Sequence, residues 1–121
     1  MALSNRIFRP GQDVTYTTSA GVTGGQLVAV TGDRTVAAAG AGSSAWIGVA
    51  EHDAASGAKV NVTSGGVHEL TASGAIAAGA NVIAAASGAV ATIGSETDYS
   101  KIVGVALSAA ANSKVLVKLA R

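Results

Sequence analysis

Apolar residues in this chain come in short runs, cut by Gly, Ser, Asn or Asp at intervals of roughly eight to twelve residues. That rhythm predicts short β-strands joined by tight turns. The candidates are Asp13–Thr18, Gln26–Thr31, Thr35–Ala39, Trp46–Glu51, Lys59–Thr63, Val67–Ala72, Asn81–Ala86, Ala89–Ile93, Lys101–Leu107 and Lys114–Leu119. Lys59-Val60-Asn61-Val62-Thr63 alternates, with valines on one side and polar residues on the other. Lys114-Val115-Leu116-Val117-Lys118 alternates less cleanly, and the expectation there is a strand covered on both faces. Thr31-Gly32-Asp33, Ser64-Gly65-Gly66 and Ser87-Gly88 read as the turns. Alanine favours helix, but 16 glycines interrupt nearly every Ala-rich stretch. Two places keep a helical expectation: one turn at Ala109–Asn112, and a short helix over residues 72–80. The fold class is therefore all-β, a small compact β-barrel or β-sandwich of short strands.

A repeat runs through the pattern at a spacing of about 55 residues. Gln26-Leu27-Val28-Ala29 returns as Asn81-Val82-Ile83-Ala84, Ile47-Gly48-Val49-Ala50 as Val103-Gly104-Val105-Ala106, and Lys59-Val60-Asn61-Val62 as Lys114-Val115-Leu116-Val117. The order of the blocks is kept. Two explanations stand side by side: chance similarity among Ala- and Val-rich strands, or two similar β-units sharing one core. A long solenoid is excluded, since two repeats alone cannot bury a stacked array.

Residues 1–12 differ from the remainder, residues 13–121, which form the single β domain. Leu3, Ile7, Phe8, Arg6, Arg9 and the chain's one proline, Pro10, sit in this segment without periodicity. An extended arm is the expectation, reaching ~40 Å when stretched. It either folds back on its own core or lies across a neighbouring subunit. It has no apolar stretch of secretory type, which predicts no export by that route.

Composition narrows the function. Charged residues make up 12% and the formal net charge is +1, so a polybasic nucleic-acid binder is excluded. Aromatics are 3%, too few for a base-stacking platform. No apolar run approaches the roughly 20 residues of a membrane-spanning helix. There is no cysteine, which removes disulfides, thiolate metal sites and cysteine nucleophiles. His52 and His68 each adjoin a carboxylate, in Glu51-His52-Asp53 and His68-Glu69, yet show no convergence of three or four ligands; the solvated-surface reading is preferred. Gly40-Ala41-Gly42-Ser43-Ser44-Ala45 resembles a dinucleotide loop, but the Trp46 segment after it reads as strand where that motif needs a helix. No Gly-x-Ser-x-Gly elbow and no phosphate loop occur. Trp46 reads as core, or else as an interface anchor. The expectation is a non-enzymatic protein with no catalytic, metal or cofactor site, and with neither nucleic acid nor membrane as partner. Small residues and low charge suit dense packing in many copies.

The order of the segments resembles the tailed-bacteriophage capsid cement, or head decoration, proteins. The resemblance rests on the opening Met1–Thr15 with its apolar-basic arm and Pro10-Gly11-Gln12-Asp13 turn, and on Gln26-Leu27-Val28-Ala29-Val30, Ile47-Gly48-Val49-Ala50 and Val67-His68-Glu69-Leu70. It continues through Gly74–Asn81 to Val103-Gly104-Val105-Ala106-Leu107 and Val115-Leu116-Val117-Lys118-Leu119. Nearly the whole chain is covered, although Asp33–Ala45 and Gly94–Ser100 do not align. The resemblance implies a β-rich domain on the outside of an assembled capsid, in the virion, with assembly in the host cytoplasm. It implies the major capsid protein as partner, homotrimers at local three-fold positions, and no catalysis. Leu3, Arg6, Ile7, Phe8 and Arg9 are then the expected capsid- or subunit-contacting residues. The rival reading is a virion-displayed adhesion module for a host-surface ligand.

Overall fold

The computed structural model describes Ile7, Phe8 and residues 12–121. Within them lie ten strands: β1 Val14–Thr18, β2 Leu27–Gly32, β3 Thr35–Ala38, β4 Trp46–Ala50, β5 Lys59–Thr63, β6 Val67–Thr71, β7 Asn81–Ala84, β8 Val90–Thr92, β9 Ile102–Ala106 and β10 Lys114–Leu119. Every expected strand is present. Both helical expectations fail. Residues 72–80 run as bends and turns in which Gly74 and Gly79 take positive φ, which breaks any helix the alanines would favour. Ala111 and Lys114 form a bridge across Asn112 and Ser113, both at positive φ, so a tight reversal replaces the helical turn. The helical elements among the described residues are two 3-10 turns, Ala86–Gly88 and Tyr99–Lys101.

The strands form two units of identical topology. In the first, the order β1-β3-β2-β4-β5 closes into a barrel, with β1 parallel to β3 and antiparallel to β5. In the second, β6-β10-β9-β7-β8 repeats that order. There the closing contact, β6 to β8, shrinks to a single parallel bridge, Ala72 to Val90. Its counterpart in the first unit is Thr18 beside Val36.

The repeat extends to individual bonds. The register slips between Val28–Gly48 and Ala29–Trp46 in the first unit, and between Val82–Gly104 and Ile83–Ile102 in the second. The Gly25 N–H donates to the Ala50 carbonyl at 2.8 Å, and the Gly79 N–H to that of Ala106 at 2.7 Å. Lys59 Nζ donates to Thr17 Oγ1 at 2.9 Å, and Lys114 Nζ to Thr71 Oγ1 at 3.3 Å. Two similar β-units is therefore the correct reading of the sequence pattern, but they do not share one core: two separate buried clusters fill them. One block is displaced by a residue: Val28 corresponds to Val82, not Ile83.

Gly48 and Gly104 show why glycine recurs at the register slip. A Cβ at Gly48 would run into the Thr63 carbonyl oxygen, and one at Gly104 into that of Lys118. The two positions are equivalent, and each lets its strand press against the next.

Two buried clusters account for the packing. The interior of the first barrel holds Val22, Val28, Val36, Ala50, Val60 and Val62. The second cluster joins the interior of the other unit, including Leu70, Ile76, Val82, Val90, Val103, Val115 and Val117, to outward-pointing residues of the first. Those are Leu27, Ala29, Ala39, Trp46 and Val49. Alternation explains the division: Val28 points into its own barrel while Leu27 and Ala29 point across the seam. Burying each large aliphatic side chain contributes about 1.5–3 kcal/mol. Thr18, the buried polar residue among those described, donates through Oγ1 to the Ala55 carbonyl at 2.7 Å and is thereby satisfied.

Candidate functional site

Of the expected arm contacts, Ile7 and Phe8 fall within the described residues; Leu3, Arg6 and Arg9 lie outside them. Ile7 is 62% exposed and Phe8 41% exposed. A large apolar pair left in solvent is available to a partner surface.

Trp46 is fully buried at the seam and belongs to the core. The Arg121 guanidinium lies over its ring, 4.5 Å from the centroid. Arg121 Nη1 donates to the carbonyls of Ser44 and Trp46 at 2.9 and 2.7 Å, and Nη2 to that of Ser100 at 2.9 Å. Its own carbonyl accepts the Gly65 N–H at 2.6 Å. Arg121, through its side chain and its backbone carbonyl, thus ties together both units and the segment that links them. The Trp46 indole N–H has no hydrogen-bond partner among the described residues, and a buried unpaired donor costs about 1–3 kcal/mol.

The histidines hold turns together. His52 Nε2 accepts the Asn61 N–H at 3.3 Å, which places the ring proton on Nδ1, 2.9 Å from the Asp53 carbonyl. His68 is half-buried rather than fully solvated, and its Nε2 donates to the Gly65 carbonyl at 2.9 Å. Among the described residues no group of three His, Asp or Glu side chains converges. An open hollow of about 330 Å³ lies between Thr23–Gln26 and Ala86–Ala89, with Lys114 as its one charged lining residue. Gly40–Ala45 is a loop, as expected, and the Gly42 N–H donates to the Ala84 carbonyl of the other unit at 2.8 Å.

The Gly94–Lys101 loop is fixed by its carboxylates. Glu96 lies below its ordinary pKa, chiefly because it accepts the Asp98 N–H, with the Lys101 ammonium at 3.1 Å adding to the effect. Asp98 is lowered by the Ser100 hydroxyl and N–H, which it accepts as the cap of the 3-10 turn.

The outer face of β6, β10 and β9 carries the feature the sequence reading missed. Strand β10 was expected to be covered on both faces. Its burial alternates strictly instead, with Lys114, Leu116 and Lys118 outward. Cross-strand pairing places Val67, Lys118, Val105 and Asn81 in one row. Glu69, Leu116 and Leu107 form the next row. Val67, Val105, Leu107 and Leu116 are 52%, 40%, 50% and 42% exposed, a contiguous apolar patch. The signal was available: Leu116 is apolar at a position where the repeat's other copy has Asn61.

That other copy is polar in the row that matches Glu69, Leu116 and Leu107. Its equivalent row is Thr15, Asn61 and Glu51, bonded side chain to side chain: Thr15 Oγ1 to Asn61 Oδ1 at 2.7 Å, and Asn61 Nδ2 to Glu51 Oε2 at 3.0 Å. The fold therefore does not require leucine at positions 107 and 116.

Comparison with known proteins agrees with this architecture. The structure resembles the N base of the head fiber gp8.5 in bacteriophage phi29, with a TM-score of 0.69 and 21% sequence identity, over 90% of this chain and 93% of that one. At that identity the likeness shows the fold. No curated protein matches the sequence. Residues 8–121 match the phage cement protein family, which covers both units and begins at Phe8 of the arm; the chain belongs to that family.

Proposed function

We propose that this protein binds the outer surface of an assembled phage head and stabilises it by bridging major-capsid subunits. Family membership makes it a capsid decoration protein and a virion component. The match over residues 8–121 is the observation that carries the reading. Bridging adds a mechanism: binding only the assembled lattice shifts the equilibrium toward the intact shell by mass action. A homotrimer would let modest contacts act together through effective concentration. Residues 1–12 serve as the arm and residues 13–121 as the β domain. Leu3, Arg6, Ile7, Phe8 and Arg9 make the capsid contact, a role supported by the exposure of Ile7 and Phe8. No turnover accompanies this role.

Co-sedimentation with purified, undecorated heads tests the reading. The full chain should pellet with heads and raise the temperature at which they open. A form lacking residues 2–9 should stay folded and lose attachment. Undiminished attachment after that deletion removes the arm from the mechanism. A protein that binds host cells and ignores heads is the adhesion module instead.

A further inference from the structure

Most of the large apolar side chains left in solvent fall into two groups. One is Ile7 and Phe8 of the arm; the other is Val67, Val105, Leu107 and Leu116 on the outer face of β6, β10 and β9. The fold does not need the second group, because the matching row of the first unit is Thr15, Asn61 and Glu51, bonded side chain to side chain. The two groups are also neighbours. Val14 pairs with Val62, which precedes Val67 by a short turn, so β1 begins within ~17 Å of the face. The chain from Val14 back to Phe8 spans up to ~20 Å. One partner surface can therefore cover both. Four half-exposed aliphatic side chains alone fall short of the ~800 Å² per partner of a stable interface, so the occupant must extend beyond them, and the arm is apolar surface within reach.

Charge narrows the occupant. Lys114 and Lys118 flank Leu116 along β10, and Glu69 lies opposite Leu116 on β6. Neither Lys118 nor Glu69 has a side-chain partner among the described residues. Two cations against one carboxylate leave the face positive on balance. A second copy of the chain offers no complement: its arm brings Arg6 and Arg9, and its own face brings the same excess of lysine. An aliphatic surface rimmed by carboxylates matches both features, since it covers the leucines and gives the lysines acceptors.

We infer that the outer face of β6, β10 and β9 is a second capsid-contacting surface beside the arm, seated on a part of the major capsid protein that presents aliphatic side chains rimmed by carboxylates. The inference rests on the capsid-binding reading, and adds to it a surface and the chemistry that surface meets. Leu107 and Leu116 form the apolar centre, where most of the binding energy of an interface concentrates. Lys114 and Lys118 form a charged rim, which governs encounter and salt dependence more than final strength.

The test is co-sedimentation of the full chain with purified, undecorated heads over a range of salt, beside two variants. Leu107→Glu with Leu116→Asn copies the first unit's row onto the face; Lys118→Glu reverses one rim charge and leaves the aliphatic side chains in place. Circular dichroism and urea unfolding check that each variant is folded, and sedimentation of the free protein gives its association state. The double variant should attach at least about tenfold more weakly, with stability and association state unchanged. Lys118→Glu should weaken attachment several-fold at low salt, and that loss should shrink as salt rises. A folded double variant that attaches at wild-type strength overturns the inference and leaves the capsid reading standing. Unchanged or stronger attachment of Lys118→Glu also overturns it, because the capsid surface would then not be acidic. A double variant that alters the association of the free protein assigns the face to contacts between copies and overturns the inference. Should the double variant not fold, Lys118→Glu and the salt series decide by the same readings. A wild type that ignores heads removes the capsid reading and the inference together.

Discussion

The two units share topology, register slips and individual hydrogen bonds, and they differ in what they leave uncovered. In the first, a closed barrel carries a bonded polar row of Thr15, Asn61 and Glu51, and buries its outer β2 and β4 positions in the seam. In the second, a five-stranded sheet whose edges meet through one bridge shows Leu107 and Leu116 where the first has Glu51 and Asn61. Side chains common to both units maintain the fold. Side chains that differ at an exposed, equivalent place are free of that duty and answer to some other demand. The duplicated chain thus acts as its own control.

The sharpest way to break this comparison is at the shared glycines. Gly48→Val and Gly104→Val should each cost about 3 kcal/mol or more, because the added carbons meet backbone oxygens that cannot step aside. Urea unfolding measures both, and a tolerant second unit would show that its sheet is packed more loosely than the first barrel. Next comes the seam. Trp46→Ala should cost about 3–5 kcal/mol, whereas Ile102→Ala at the equivalent half-exposed place should cost about 1 kcal/mol. Equal losses would contradict the asymmetry between the units. Arg121→Ala should cost about 1–2 kcal/mol through the lost ring stacking and carbonyl bonds, and should alter Trp46 fluorescence. Leu107→Glu combined with Leu116→Asn writes the first unit's row into the second; monomer stability should change by no more than about 0.5 kcal/mol.

Acid should have the smallest effect. Glu96 and Asp98 have depressed folded-state pKa values, so their stabilisation is present above the unfolded carboxylate value and is lost as pH falls through the folded one. The Gly94–Lys101 loop should therefore loosen on acidification below the ordinary carboxylate range, with little change between neutral pH and that point. Amide exchange at Thr97 and Ser100 reports it.

Much of the fold was legible because strand signals here are local. Val and Thr alternate, Gly and Asp end each run, and ten strands follow from that alone. The failures came where alanine was weighed without the neighbouring residues that turn the chain. Ala72–Ala80 reads as helix until Gly74 and Gly79 are placed at positive φ, and Ala109–Asn112 until Asn112 and Ser113 take that conformation. The repeat was visible as a pattern with one block out of register, because the spacing between the copies changes along the chain, from 82 − 28 = 54 residues at Val28 and Val82 to 104 − 48 = 56 at Gly48 and Gly104. The arm residues were legible as unusual side chains in an otherwise small-residue chain. The patch on β10 is not marked locally, since Val115-Leu116-Val117 is uniformly apolar; the repeat carries the signal, Leu116 against Asn61, and the pairing with Glu69 and Leu107 tells the two faces apart.

Trp46 is the chain's one tryptophan, and it sits where the halves meet rather than inside either. Tryptophan emission from this protein, excited where its two tyrosines do not absorb, is consequently a single-site gauge of parting at that boundary. A spectral change that precedes the loss of far-ultraviolet β signal during heating would mean the halves separate while each is still wound, and simultaneous changes would mean they melt as one body.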